Sequence, residues 1–354
     1  MKTKIIKINS DNIDSSAIAV AADILKRGGL VAIPTETVYG LAADALNTAA
    51  LSKIYLAKGR PSDNPLIVHI SDLDQLNIFA KDIPDVAYKL AKRFWPGPLT
   101  MIFKKQPSVN NIVTGGLNTV AIRMPAHPIA RELIRFSQIP LAAPSANISG
   151  SPSPTMARHV INDMNGKIDA VIASQDCEVG IESTVLDLSG TVPSILRPGA
   201  VTYEQLLEFL PNLTIDKHVL NVAVSSDAPK SPGMKYKHYA PKASVTVVQG
   251  GKDNVFAAVD NLCIRLHSEK PCKIGVITCY EHEKQYKNAD IIISSGRSLD
   301  EFAHNMFTLL RTLDEKGMDN IIIELSSAEG IGLALANRLY RAAGNNVIHV
   351  QEDN

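Results

Sequence analysis

What this 354-residue chain most lacks is charge of one sign: 36 basic side chains meet 36 acidic ones. A net charge of zero excludes a globally polybasic protein, so any nucleic-acid contact must be local. Cysteine is scarce too. Cys177, Cys263, Cys272 and Cys279 form no C-x-x-C pair and show no histidine at ligand spacing, so they read as reduced thiols and no metal site is expected. No apolar run approaches the ~18 residues of a spanning helix, which excludes a membrane segment of that kind. The opening MKTKIIKINS has neither an apolar core nor a cleavage site, so no signal peptide is read and the cytosol is the expected compartment. Three reaction templates are also missing. There is no G-x-x-x-x-G-K-[ST] loop, no G-x-S-x-G elbow and no H-E-x-x-H pair, which excludes a P-loop NTPase, an α/β-hydrolase and a zincin.

Proline is missing from one part of the chain only. Nineteen of the 20 prolines lie at or before Pro241, and only Pro271 follows. Charge shifts at the same place. Residues 1–240 carry 24 basic and 21 acidic side chains, a net of +3; the rest carry 12 and 15, a net of −3. The chain therefore reads as a domain over 1–210, a linker over 211–241 and a second domain over 242–354. The linker contains four prolines, the breaker Ser231-Pro232-Gly233 and an interleaved basic and aromatic run, Lys235-Tyr236-Lys237-His238-Tyr239. A connection this long is either functional or a spacer.

The fold class is α/β throughout. In the first domain, helices are expected over Asp14–Lys26, Ala49–Ala57, Val86–Phe94, Pro128–Phe136 and Thr202–Leu210, the last with a Thr202/Gln205 capping box. Strands are expected near 30–35, 66–70, 99–103, 119–124, 140–143, 170–174, 183–188 and 194–196. This order suits a twisted mixed sheet covered by helices. In the second domain, β-branched runs near 244–248, 273–278, 290–294, 320–325 and 346–350 alternate with amphipathic stretches near 254–269, 299–316 and 332–343. Strict alternation predicts a smaller, Rossmann-like parallel sheet. Ser298 and Glu301 make a capping box there. Gly330-Ile331-Gly332 follows the fourth strand, but Leu335 stands where the dinucleotide fingerprint needs a third glycine, so a supporting role is favoured over a nucleotide site.

Polar groups gather at strand ends and turns of the first domain, where open α/β sheets carry their sites. Lys58 and Arg60 flank a glycine at a helix end. They compensate the helix dipole there, or they clamp a polyphosphate with a point charge and a planar fork. Ser145 and Asn147 suit a turn, and equally suit phosphate oxygens. Arg123 sits in an apolar strand and matters if it faces a pocket holding a carboxylate. His69, at a strand end, is structural or functional. These residues alone define an anion-binding α/β protein with a charged, proline-framed cleft.

In order, PTETVYGLAADA, KGRPSDNPLIVHI, FWPGPLT, VAIRMP, APSAN, ESTV and LRPGA resemble the YrdC-like family of threonylcarbamoyl-AMP synthases, over about residues 14–210. SPGMKYKHYAP and the trailing α/β domain resemble the long, two-domain form of that family. The resemblance implies formation of threonylcarbamoyl-adenylate and pyrophosphate from L-threonine, bicarbonate or carbon dioxide, and ATP carrying Mg²⁺, with no prosthetic group. A downstream transferase would then pass the threonylcarbamoyl group to tRNA beside the anticodon. The family's lysine-x-arginine and serine-x-asparagine signature falls on Lys58, Arg60, Ser145 and Asn147. The resemblance further implies L-threonine contacts at Thr35, His69, Arg123, Ala143 and Ser183. It implies ATP contacts at Asn64, Thr119, Ser153, Arg197 and Tyr236, besides the signature residues Lys58, Arg60 and Ser145. Tyr236, with Lys235 and Lys237, would belong to a lid. His69 is a candidate acceptor for the amine proton. The family surface is associated with tRNA or double-stranded RNA, so an RNA-binding factor is one alternative. A carbamoyl-transfer enzyme with another acceptor is the other.

Overall fold

The computed structural model describes residues 2–219 and 238–351. The chain divides into two compact units, which group 2–149 with 153–219 and 150–152 with 238–351 among the described residues. The first unit opens with β1 (Lys4–Lys7), α1 (Ser15–Lys26), β2 (Val31–Ile33), β3 (Gly40–Asp44), α2 (Thr48–Lys58) and β4 (Ile67–His69). It continues through α3 (Leu76–Phe79), β5 (Ala80–Lys81), α4 (Asp85–Phe94), β6 (Leu99–Lys105), α5 (Asn111–Thr114), β7 (Thr119–Arg123), α6 (Pro128–Ser137) and β8 (Leu141–Ala142). Then come α7 (Ala157–Met164), β9 (Ala170–Ala173), β10 (Thr184–Asp187), β11 (Ser194–Arg197), α8 (Tyr203–Leu207) and β12 (Thr214–Ile215).

These strands form one mixed sheet in the order β1-β9-β2-β3-β8-β4-β7-β6-β10-β11-β12, with β5 beside β6. Its layers follow from strand alternation. Val31, Ile33, Ala170 and Ile172 pack with Ile18, Leu25, Ile129 and Leu133 of α1 and α6. Their neighbours Ala32 and Val171 turn the other way, toward Leu51 and Ile54 of α2 and Val160 of α7. Around β2 and β9 both faces are thus covered by helices, whereas Ile67, Ile102, Ala121, Val185 and Leu196 form a separate apolar cluster across β4, β6, β7, β10 and β11. The terminal strands are short or charged: β1 exposes Lys4 and Lys7, and β12 is two residues long.

Most expected elements are present within a residue or two. Helix α1 starts on Asp14, whose carboxylate accepts the Ser16 N–H at 2.8 Å. The Thr202/Gln205 capping box is complete. Strand β3 was not expected, because Gly40-Leu-Ala-Ala-Asp44 is poor in strand formers. It forms as the antiparallel return of β2, with Val31 opposite Ala42. Helix α7 and strand β1 were also not expected.

The first unit does not stop at residue 210. Leu213 and Val219 are buried, and β12 pairs with β11. Two residues are too few for a visible alternation, so this strand left no pattern. A chain ending at 219 should unfold cooperatively by urea titration. One ending at 210 should be less stable by about 2–5 kcal/mol, the scale of deleting large buried side chains.

The second unit holds β13 (Ser244–Gln249), α9 (Lys252–Glu269), β14 (Ile274–Thr278), β15 (Ile291–Ser294), α10 (Leu299–Glu315), β16 (Asn320–Leu325), α11 (Ile331–Ala343) and β17 (Val347–His349). Its sheet is all parallel, in the order β15-β14-β16-β13-β17, as alternation predicted. Only half of the expected box caps α10. The Ser298 hydroxyl accepts the Glu301 N–H, but the Glu301 carboxylate accepts from Arg297 N–H at 2.8 Å.

Candidate active site

Three loops converge at the end of α2. Lys58 is the last residue of that helix and is 3% exposed, too buried for simple surface compensation of a dipole. Its ammonium donates to the Ser145 carbonyl and, at 2.7 Å, to the Asn147 carbonyl. Ser145 also makes an isolated bridge with Gly40 at the start of β3. The lysine and the serine-x-asparagine segment therefore do meet, though through main-chain oxygens. The Asn147 amide turns to the Ile148 carbonyl at 2.8 Å. Burial, then the charge of Arg60, holds the Lys58 ammonium well below the usual lysine range. An anion beside it would relieve both effects.

Arg60 faces its own loop. Its guanidinium donates to the carbonyls of Asn64 at 3.2 Å and Pro65 at 2.9 Å. Asn64 is 1% exposed, and neither Oδ1 nor Nδ2 of its side chain has a hydrogen-bond partner among the described residues. A buried amide left unpaired costs free energy, so this side chain has donor and acceptor capacity to spare.

A second cluster surrounds Arg123, the last residue of β7. Its guanidinium lies 2.6 Å from Glu36 Oε1, and donates to the Thr37 hydroxyl at 2.8 Å and the Gly97 carbonyl at 3.1 Å. Gly97 is required there, since an added Cβ would sit 2.4 Å from the Phe94 carbonyl oxygen. The FWPGPLT segment thus delivers the acceptor that orients Arg123. Thr35 organises the turn between β2 and β3. Its hydroxyl accepts the Thr37 and Val38 N–H groups at 3.2 Å, donates to the Val38 carbonyl at 2.6 Å, and lies 2.8 Å from the Thr37 hydroxyl. Burial pushes the Glu36 carboxyl up, but Arg123 outweighs it and leaves the group below its usual range.

His69 ends β4 opposite Arg123 of β7 and Leu141 of β8. Its Nδ1 is 3.1 Å from the Ile67 carbonyl. Burial, then the Arg123 charge, pushes the imidazole down to about 3, so it is neutral at physiological pH. An unfolded histidine titrates near 6.5. The unfolded chain therefore binds the extra proton between about 3 and 6.5, and this contribution to stability falls as pH drops through that window. Urea midpoints of the protein and of His69→Asn should differ less at pH ~4.5 than at pH ~7 if this coupling holds.

Ser183 lies just before β10. Its hydroxyl is 2.8 Å from the Thr100 hydroxyl and accepts from Arg197 at 3.1 Å, while Arg197 Nε donates to the Ser183 carbonyl at 3.1 Å. Gly199 permits this closeness, as an added Cβ would meet the Thr184 nitrogen at 2.4 Å. The Ser153 hydroxyl donates to buried Glu182. Ala143 is buried, with its N–H on the Ile67 carbonyl at 3.1 Å.

Thr119 stands apart from the Arg123 cluster. It opens β7 and Arg123 closes it, so about 13 Å of strand separates them at ~3.3 Å per residue. The register of β4 on β7, Ile67 opposite Ala121, sets Thr119 beside the start of β4, which follows the loop braced by Arg60. Tyr236, Lys235 and Lys237 lie outside the described residues. Sequence reading gave no individual role to Glu36, Thr37, Thr100 or Glu182, although PTETVYG and ESTV were singled out as segments. The signal for Glu36 was available: it is the lone charge within Pro34-Thr-Glu-Thr-Val-Tyr-Gly40.

Fold and site together define a two-domain α/β protein whose N-terminal mixed-sheet unit holds the buried cations Lys58, Arg60 and Arg123 at helix, loop and strand ends. The chain matches the family model described as "Telomere recombination" (Sua5, YciO and YrdC proteins) over residues 23–199. It matches the model described as "Threonylcarbamoyl-AMP synthase, C-terminal domain" over residues 201–344. It is 46% identical to the threonylcarbamoyl-AMP synthase of Pyrococcus abyssi, covering 96% of this chain and 98% of that one. It is 46% identical to the Bacillus subtilis protein of the same name, covering 94% of each. The crystal structure of P. abyssi Sua5 complexed with L-threonine superposes with a TM-score of 0.93 at 46% identity, over 98% of this chain and 100% of that one. The chain belongs to the threonylcarbamoyl-AMP synthase family, enzymes of the nucleotidyltransferase type.

Proposed function

We propose that the first unit binds ATP and L-threonine side by side and joins them, through carbon dioxide or bicarbonate, into threonylcarbamoyl-AMP with release of pyrophosphate. The observation that carries this reading is the meeting of buried Lys58 with the Ser145–Asn147 segment, next to the Arg60 loop that holds the unpaired Asn64 amide. This is a site prepared for a phosphate chain. The Arg123 cluster, with Thr35, His69, Ala143 and Ser183 around it, is the place for the amino acid, whose carboxylate would meet the guanidinium. Thr119 lies on the nucleotide side, with Ser153 and Arg197 as further nucleotide contacts.

The chemistry needs no protein nucleophile. The threonine amine, once neutral, bonds through its lone pair to the carbon of carbon dioxide, and release of an N–H proton to water leaves a carbamate anion. A carbamate oxygen then bonds to the α-phosphorus while the bond to the pyrophosphate oxygen breaks. Such transfers depend on positioning and charge neutralisation. Lys58 and Arg60 supply that charge, and magnesium arrives with ATP as part of the substrate. His69, neutral and pushed to about 3, acts as a hydrogen-bond reader of threonine in place of a strong base. The adenylate would then be consumed by a transferase acting on tRNA.

Pyrophosphate release measured with each substrate withheld tests this reading. Release should require ATP, L-threonine and bicarbonate together. Release without threonine would point to another carbamoyl acceptor. No release, accompanied by salt-dependent RNA affinity, would leave an RNA-binding protein.

A further inference from the structure

The second unit has a cavity of about 260 Å³ whose lining includes Cys279, His282, Ser295, Ser298 and Glu324. It lies at the carboxyl ends of β14, β15 and β16. Cys279 directly follows β14, Ser295 directly follows β15, and Glu324 is the penultimate residue of β16. In open parallel sheets this end is where ligands bind. None of these residues takes part in the chemistry proposed for the first unit.

Three of the lining groups can hold a metal. Cys279, His282 and Glu324 each offer a ligand atom, and these atoms all lie within 4.8 Å of one another. Zinc bonds of ~2.0–2.3 Å put tetrahedral ligand atoms about 3.4–3.6 Å apart, so side-chain shifts of roughly an ångström would close the set. The carboxylate is already fixed in place. Glu324 Oε2 accepts from the Thr278 hydroxyl and from the Cys279 N–H at 2.9 Å. Its Oε1 accepts from the Tyr286 hydroxyl and lies 3.0 Å from His282 Nδ1. Outer partners that hold a carboxylate and a ring in this way are the usual support of a metal site.

Charge gives an independent reason. Glu324 and His282 are 7% and 6% exposed. Among the described residues no lysine or arginine lies within 4 Å of Glu324, and the imidazole is the one basic group in ion-pair range. Buried carboxylates are paired or coordinate metals. A divalent ion held by one carboxylate, one thiolate and one neutral imidazole makes a site of zero net charge.

We propose that Cys279, His282 and Glu324 form a zinc-type site in the second unit, with a fourth position open toward the cavity. The thiolate selects a transition ion over Mg²⁺ or Ca²⁺. Three protein ligands with one open position match zinc sites that hold water or a small ligand. The Cys279-x-x-His282 spacing was present in the sequence, and the expectation of no histidine at ligand spacing is corrected here. The carboxylate came from 42 residues beyond His282, which only the parallel sheet brings close.

The test uses the full-length protein after chelator treatment, titrated with Zn²⁺ alone and separately with Co²⁺ alone. A single equivalent should bind, and Co²⁺ should give a thiolate-to-metal charge-transfer band that Zn²⁺ removes and Mg²⁺ does not. Cys279→Ser should abolish the band, while Cys272→Ser should keep it. Tyr286→Phe should weaken binding on the order of 10-fold, the lower end for an outer partner. A wild-type protein that shows no charge-transfer band with excess Co²⁺ overturns the site, whether or not the variants fold. So does a band that survives in Cys279→Ser. These readings are spectroscopic and stand whatever the pyrophosphate assay returns.

Discussion

Lys58→Ala or Arg60→Ala should each lower turnover on the order of 10²–10³, the scale of losing one preorganised electrostatic donor. The two losses have different physical origins. Lys58 carries a buried charge and also ties the Ser145–Asn147 segment to the end of α2. Its removal takes away the anchor of a loop and, on the proposed reading, a phosphate partner. Arg60 braces the carbonyls of Asn64 and Pro65, so its loss frees the loop that holds the unpaired amide. Steady-state pyrophosphate release at saturating ATP measures both. Wild-type turnover in the two variants would remove the phosphate site from this cleft.

Arg123→Ala should act on the amino acid more than on the nucleotide. The Michaelis constant for threonine should rise by at least about 10-fold, with that for ATP nearly unchanged, because a charge-assisted pair to a carboxylate is worth ~1.5–3 kcal/mol. The same change leaves the Glu36 carboxylate buried and uncompensated. Breaking a buried pair from one side costs about 3–5 kcal/mol, so the protein should also lose stability. Adding Glu36→Gln removes the orphaned charge. The double variant should regain much of the lost stability by urea titration yet still bind threonine poorly. If stability and threonine affinity return together, Arg123 serves the fold alone.

Helices α1, α4 and α6 were legible because their apolar positions recur at helical spacing and their termini carry caps or prolines. The parallel sheet of the second unit was legible because β-branched runs alternate with amphipathic ones. Strand β3 was not, since glycine and alanine carry no strand preference and the partner strand supplies the reason to extend. The candidate site was written in the sequence as a set of motifs and not as a set of contacts. Lys58 and Ser145 lie 87 positions apart, and their bond runs to a carbonyl that no residue type announces. Glu36 escaped because a carboxylate among residues read as anion-binding looks out of place until its arginine is seen. The sulfur, imidazole and carboxylate of the second unit escaped for a related reason: Cys279 and His282 lie three positions apart, but Glu324 lies 42 positions further on and is brought close only by the sheet.

The borders of the large mixed sheet bear on how the protein keeps to itself. A strand from another molecule that tried to extend the ladder past β1 would have to strip water from the ammonium groups of Lys4 and Lys7. At the opposite border it would find, among the described residues, only Thr214 and Ile215 to zip against. Unprotected ladders template aggregation, and charged or abbreviated borders blunt them. Both borders of this wide sheet therefore carry features that discourage a neighbouring molecule from extending it.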